Sequence, residues 1–148
     1  MSRIKVDDIR SRQNSTHDSI SLASDSSVSL NHSGSAKLTT TATGITATGA
    51  INENVFAITD ASSVALNPSN GMVQTWTLGA NRTATDSLTT GQSMLLIVTA
   101  SSSNYTLTWP TMNWRGGSAP TLGGANATAI ELFKVGSQLY GATIGDLS

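Results

Sequence analysis

The sequence predicts an all-β protein, with an extended N-terminal β arm followed by a C-terminal β-sandwich of jelly-roll type. Three observations predict it. Ser and Thr supply roughly three residues in ten, while Asp, Glu, Lys and Arg make up only 11%, against about 25% in an average globular chain. Thr packs well on a pleated surface and Ser and Gly populate turns, whereas long helices need the Glu, Lys and Leu that are scarce here. Apolar residues alternate with polar ones in segment after segment, the period of a strand with one covered face. Finally, short β-prone runs are separated by Gly, Asn and Pro punctuation through most of the chain.

A chain of 148 residues suits one ordinary domain with an appendage. Composition changes near Ala50-Ile51: residues 1–50 hold five of the eight basic residues and no Phe, Tyr or Trp, in a dense run of Ser and Thr. We therefore expect an attachment and trimerisation arm over 1–50 and a sandwich domain over 51–148.

The arm opens with Ile4-Lys5-Val6-Asp7-Asp8-Ile9-Arg10-Ser11-Arg12, where Ile4 and Val6 share one face of a short strand with mixed charge on the other. In Ile20-Ser21-Leu22-Ala23-Ser24-Asp25-Ser26-Ser27-Val28-Ser29-Leu30 every large apolar residue is even-numbered, which reads as strand. After the turn-prone His32-Ser33-Gly34-Ser35, the run Leu38 to Ile51 sets Ile45, Ala47, Gly49 and Ile51 on one face, opposite Thr46 and Thr48. So narrow an apolar stripe cannot form a core alone, because an isolated strand or hairpin is marginal in water. Identical neighbours or a foreign surface must cover it, and small residues tolerate close approach to a symmetry axis. The prediction is a homotrimer, with Ile45, Ala47 and Ile51 at its interface and Ile4, Val6, Ile9, Arg10, Arg12, Ile20 and Leu22 binding a partner. The alternative is an arm folded back as edge strands on its own C-terminal domain.

From Ile51 onward the candidate strands are Val55–Thr59, Val64–Leu66, Met72–Leu78, Ser93–Thr99, Tyr105–Trp109, Ala129–Val135 and Gln138–Ile144. Trp76 and Leu78 should be core. Met94-Leu95-Leu96-Ile97-Val98 is apolar on both faces, which marks a central strand covered on both sides. Ile130 to Val135, Gly136-Ser137 and Gln138-Leu139-Tyr140 read as a hairpin with a Gly-Ser turn. Glu53 to Leu66 also admits a short helix, since Val55, Thr59, Ser62 and Leu66 fall near helical spacing.

Several function classes lack the residues they need. No cysteine is present, which excludes disulfides and thiolate chemistry. The net charge of −1 provides no basic field for nucleic acid or an anionic membrane. No apolar run reaches membrane-span length, and Met1 to Asp8 lacks the apolar core of a signal peptide, so synthesis in the cytoplasm without export by the usual route is expected. His17 and His32 lie in the polar arm with no carboxylate cluster near them, and Asp7-Asp8 beside Lys5 and Arg10 reads as a solvated strand face, so no metal is expected. Gly116-Gly117 and Gly123-Gly124 lack the Lys and helix of a phosphate loop, and the five acidic residues after Ala50 offer no evident catalytic pair. Neither an enzyme nor a cofactor is expected. The N-x-S/T triplets at Asn14, Asn31, Asn81, Asn104 and Asn126 are chance matches in so Ser/Thr-rich a chain.

The most distinctive string is Trp109-Pro110-Thr111-Met112-Asn113-Trp114-Arg115-Gly116-Gly117-Ser118-Ala119-Pro120-Thr121-Leu122. Asn113, Trp114 and Arg115 have the side chains to stack on and hydrogen-bond a sugar. The structural alternative has Trp109 filling the core, Trp114 capping the sandwich end and Pro120 stiffening the loop.

Three segments carry a resemblance. They are Gly91-Gln92-Ser93-Met94-Leu95-Leu96-Ile97-Val98, the run from Tyr105-Thr106-Leu107-Thr108-Trp109-Pro110 to Leu122, and Ile130-Glu131-Leu132-Phe133-Lys134-Val135-Gly136-Ser137-Gln138-Leu139-Tyr140-Gly141. Together they resemble the C-terminal β domain of tailed-phage virion proteins, notably fibre and head-decoration proteins of phages infecting aquatic bacteria. The Thr39 to Ile51 stretch is similar to Thr/Gly-rich stems of trimeric phage fibres, and Arg3 to Ile9 resembles their N-terminal attachment segments. The resemblance implies a non-enzymatic structural protein on the outer surface of a phage particle. It would bind itself and the major capsid protein or another virion protein, with no nucleic acid or membrane and with a glycan as a possible ligand. A capsid decoration (cement) protein that stabilises the head is the leading expectation, because 148 residues leave little room for both a long reach and a receptor-binding tip. A short tail fibre or spike, or a host-glycan-binding adhesin, is the alternative.

Overall fold

The computed structural model describes residues 8–11, 14–102 and 104–147, all-β apart from one 3-10 turn at Pro68–Asn70. Of the residues expected to bind a partner, Ile4, Val6 and Arg12 lie outside that set. The chain divides into two compact units, Met1–Asn52 and Glu53–Ser148.

In the first unit β1 (Asp8–Ser11), β2 (Asn14–Leu22), β3 (Val28–His32), β4 (Ser35–Thr41) and β5 (Gly44–Ala47) form an antiparallel sheet in sequential order. Where the sequence suggested an extended arm, the strands therefore pair with one another, and turn chemistry is the reason. The run Ile20 to Leu30, read as one strand, breaks at Ala23 to Ser27: Ser26 takes φ 70°, and the Asp25 carboxylate accepts from the Ser27 amide at 2.9 Å. Between β3 and β4, Ser33 (φ 52°) and Gly34 (φ 79°) are consecutive left-handed residues, the conformation of a tight two-residue hairpin. The Thr-rich run from Leu38 folds back at Ala42-Thr43 to give β4 and β5. Each reversal lets strand amides find partners a few residues away, at little cost in loop closure.

In the second unit six strands alternate between two sheets: β6 (Val55–Ala57), β7 (Ser63–Leu66), β8 (Val73–Leu78), β9 (Arg82–Asp86), β10 (Ser93–Ala100) and β11 (Leu107–Thr108). Odd and even members stack separately. β6, β8 and β10 run parallel in one sheet, and β7, β9 and β11 run parallel in the other. Parallel neighbours need a long crossover, and here each crossover carries a strand of the opposite sheet. The segment winds as stacked rungs, with Val55, Val73 and Leu95 in one column. A jelly roll is built from antiparallel Greek keys, so the connectivity differs from the one expected, although two sheets do enclose one core.

The larger sheet is completed by β12 (Asn113–Trp114), β13 (Ala127–Val135) and β14 (Gln138–Leu147), in the order β12-β14-β13-β10-β8-β6. β13 and β14 form the hairpin around Gly136-Ser137, and β12 runs parallel to β14. Glu53 to Leu66, which also admitted a helix, contains β6 and β7; its β-branched and Ser content resists helix. β9 escaped the sequence reading because Arg82-Thr83-Ala84-Thr85-Asp86 has one apolar side chain, Ala84, and that one is buried.

Leu66, Ala84 and Leu107 from the three-stranded sheet share a core with Trp76, Leu78, Leu96, Val98, Ile130, Leu132 and Leu139 from the larger one. Each fully buried large side chain contributes about 1.5 to 3 kcal/mol. β10 is central, between β13 and β8, with Met94, Leu96, Val98 and Ala100 buried and Leu95 and Ile97 half-buried on the other face. Among the described residues Gln74 is the one buried amide side chain; its Nε2 donates to the carbonyls of Asn67 (2.6 Å) and Gly71 (2.8 Å), clamping the 3-10 turn.

Candidate functional site

The sheet of the first unit has two unlike faces. The ladder sets Ile20, Leu30, Leu38 and Ala47 side by side in one row. Leu22 stands opposite Val28, two residues along on the same face, which also takes in Ile45. On the reverse face Ser21, Ser29, Thr39 and Thr46 form the corresponding row. There the Ser29 and Thr39 hydroxyls share a hydrogen bond of 3.1 Å, and Asn31 Nδ2 donates to Ser21 Oγ at 2.8 Å.

Across residues 19–52 no side chain is buried. Leu30 is 44% exposed and Ile45 67% exposed. A single layer with one apolar face depends on a second layer for most of its stability.

The sequence assigned Ile20 and Leu22 to a virion partner and Ile45, Ala47 and Ile51 to a trimer interface. The structure puts Ile20, Leu22, Ile45 and Ala47 on one face, while Ile51 follows β5 and is 74% exposed. Ile9 stands opposite Ile20 and Arg10 opposite Asp18 in a β1–β2 ladder whose register shifts on either side of Arg10. Leu30 and Leu38, which occupy the middle strands of the same face, were not singled out from the sequence.

The second candidate lies at the β12 edge of the larger sheet. Asn113 pairs with Tyr140 and Trp114 with Gly141. Trp114 is half-buried and meets Trp109 edge to face, ring centroids 5.0 Å apart at 78°. Its indole lies across β14 because residue 141 is glycine: a Cβ there would fall 2.6 Å from Cζ3 of Trp114 and 3.0 Å from Sδ of Met112. The two structural roles expected for Trp109 and Trp114 are thus partly combined, since both pack against the core from its margin.

Asn113, Trp114 and Arg115 line a concavity of about 370 Å³ together with Phe133, Tyr140, Gly141 and Ala142. Phe133 and Tyr140 stack with centroids 5.1 Å apart and planes 9° from parallel. These two aromatics were absent from the sequence-derived site. Counting back from the two-residue Gly136-Ser137 turn pairs them directly and was the signal available.

The chain matches no family model, and no curated protein or solved structure matches it significantly. Among the described residues no three His, Cys, Asp or Glu side chains converge as a metal site, and His32 ends β3 in an exposed position. On the outward face of the larger sheet, Val73, Leu95, Glu131 and Ala142 form one row. Burial among these neighbours raises the Glu131 carboxyl above the ordinary carboxylate range, and Glu53 adds to the shift.

Proposed function

We propose that this chain is a non-enzymatic structural protein of a bacteriophage particle, a homotrimeric capsid decoration (cement) protein that binds the head surface and stabilises it. The observation that carries this reading is the two-faced sheet of the first unit. One side is laced by hydroxyls; the other presents Ile20, Leu22, Leu30, Leu38 and Ile45 with no buried residue among them. A protein whose smaller unit offers an uncovered apolar face works by being covered, and its partners are other copies and a shell protein. The second unit supplies the stable body, with a core enclosed by two sheets.

Sedimentation velocity of the full chain tests the first half, with a trimer as the expected species. Co-sedimentation with purified phage heads, scored with the heat stability of those heads, tests the second. A chain that stays monomeric at every concentration while the amides of β2 to β5 resist hydrogen exchange would overturn the assembly reading.

A short tail fibre or a host-glycan-binding adhesin is the second reading, favoured by the aromatic concavity at Asn113, Trp114 and Arg115. Antibodies against this chain would then label the tail and block adsorption.

A further inference from the structure

We propose that the concavity between β12, β13 and β14 is a binding subsite for one neutral pyranose ring, with Tyr140, backed by Phe133, as its stacking platform and Asn113 and Arg115 as its hydrogen-bonding arms. The inference deepens the glycan-binding reading and stands apart from the assembly reading, since it concerns the second unit alone.

The volume, about 370 Å³, lies at the small end of ligand sites, roughly 300 to 1,000 Å³, and suits a single ring better than a chain. The lining is mostly apolar, with Asn113 and Arg115 as polar residues along it. Aromatic faces carry partial negative charge, which draws the weakly positive C–H bonds on one face of a sugar ring. Tyr140 presents such a face, backed by Phe133 in a half-exposed stack that paired strands hold in place. Asn113 stands directly beside Tyr140 and offers a donor and an acceptor on one planar amide. Arg115 adds a planar fork of donors, and its backbone is fixed by donation from its amide to the Gly141 carbonyl at 2.8 Å. Both side chains are exposed and therefore free to meet the hydroxyls at a ring's edge.

Charge selects among sugars. Arg115 is the one charged residue lining the concavity, and Glu131, outside the lining but opposite Ala142 in the ladder, offsets its charge. That balance favours a neutral ring over a uronic acid or an amino sugar with a free ammonium group. With so few contacts the dissociation constant is on the order of 1 mM, a value that repetition on an oligomer would lower through avidity.

The test is titration of the full chain with methyl glycosides of glucose, galactose and N-acetylglucosamine, and with glucuronate, followed by indole resonances and by saturation transfer to the sugar. At least one neutral glycoside should bind saturably, shift the Trp114 indole and bind more tightly than glucuronate. Tyr140→Ala should weaken it tenfold or more, Asn113→Ala and Arg115→Ala severalfold, and Tyr140→Phe hardly at all. Because Asn113 and Arg115 are exposed, those variants keep the fold even if Tyr140→Ala disturbs the hairpin. No saturable binding of any glycoside, or binding unchanged in the Asn113→Ala, Arg115→Ala double variant, overturns the proposal. Neither result bears on whether the chain trimerises.

Discussion

Asp60 and Arg82 lock the two sheets of the second unit together. The Arg82 Nε donates to both carboxylate oxygens of Asp60, at 2.9 and 3.0 Å, and its Nη2 donates to Oδ2. The same carboxylate accepts from the indole Nε1 of buried Trp76 at 2.9 Å and from the Gly79 amide at 3.0 Å. One side chain from the loop after β6 thus ties the core Trp of the larger sheet to the first residue of β9 in the other.

Replacing that carboxylate leaves four N–H donors, from three residues, without their acceptor. Asp60→Ala should cost about 2 to 3 kcal/mol, less than a fully buried pair because both side chains are partly exposed. For a unit of this size the loss lowers Tm by roughly 10 °C or more. Asp60→Asn should retain part of it, since an amide oxygen can still accept from Trp76. Calorimetry on both variants checks the order.

The carboxyls also set a pH profile. Hydrogen bonds from Arg82, then Trp76 and Gly79, hold Asp60 well below the usual carboxylate range, so its contribution is present above the unfolded value of about 3.9 and lost as pH falls through the lower folded value. Glu131 runs the other way. Its carboxyl is raised by burial, so it penalises the fold at neutral pH, and the penalty disappears once pH drops below its unfolded value. Stability should therefore rise slightly on mild acidification and fall steeply below about pH 4. Glu131→Gln should raise Tm at pH 7, with the gain vanishing near pH 4; a gain that persists there contradicts the cause given for the shift.

Much of this was legible in the residues. Period two placed Trp76 and Leu78 inside, and the double-faced apolar run at Met94 to Val98 marked the central strand. The connectivity was not legible, because inward-facing positions look alike whether the neighbouring strand is parallel or antiparallel. Strand β9 shows the limit of pattern reading: two sheets converge on Ala84, and hydrogen bonding along the ladder makes the strand without further apolar side chains. In the first unit Ser26, Ser33 and Gly34 each take left-handed φ, and only Ser33-Gly34 advertised itself as a turn. Of the aromatic concavity, the sequence showed Asn113, Trp114 and Arg115, because they are contiguous. Phe133 and Tyr140 join them through pairing across the sheet.

Gly141→Ala tests how tightly the β12 edge is built. The added methyl would strike the Trp114 ring and the Met112 sulfur, and overpacking of this kind costs about 1 to 3 kcal/mol. The indole should swing off β14, lowering Tm and changing Trp fluorescence while the far-ultraviolet spectrum stays that of a β protein.

Removing residues 1–52 tests the proposed division into body and attachment surface. The second unit keeps its whole core, since every buried residue of that cluster lies between Leu66 and Leu139. The fragment should unfold cooperatively and remain monomeric, and it should no longer co-sediment with phage heads. Full head binding by the fragment would move the attachment surface to the sandwich.

The face of the first sheet allows a sharper comparison, because its two sides differ in chemistry at matched positions. Leu30 sits mid-row on the apolar side and Thr46 on the hydroxyl side of edge strand β5. A lysine at either site adds the same charge to an exposed strand position. If another copy covers the apolar side, Leu30→Lys must desolvate an ammonium in that contact, which costs several kcal/mol per copy, and the oligomer should dissociate to monomers at micromolar concentration. Thr46→Lys faces solvent and should leave the sedimentation coefficient unchanged. Equal behaviour of the two variants would mean that the apolar row is not the surface through which the copies meet.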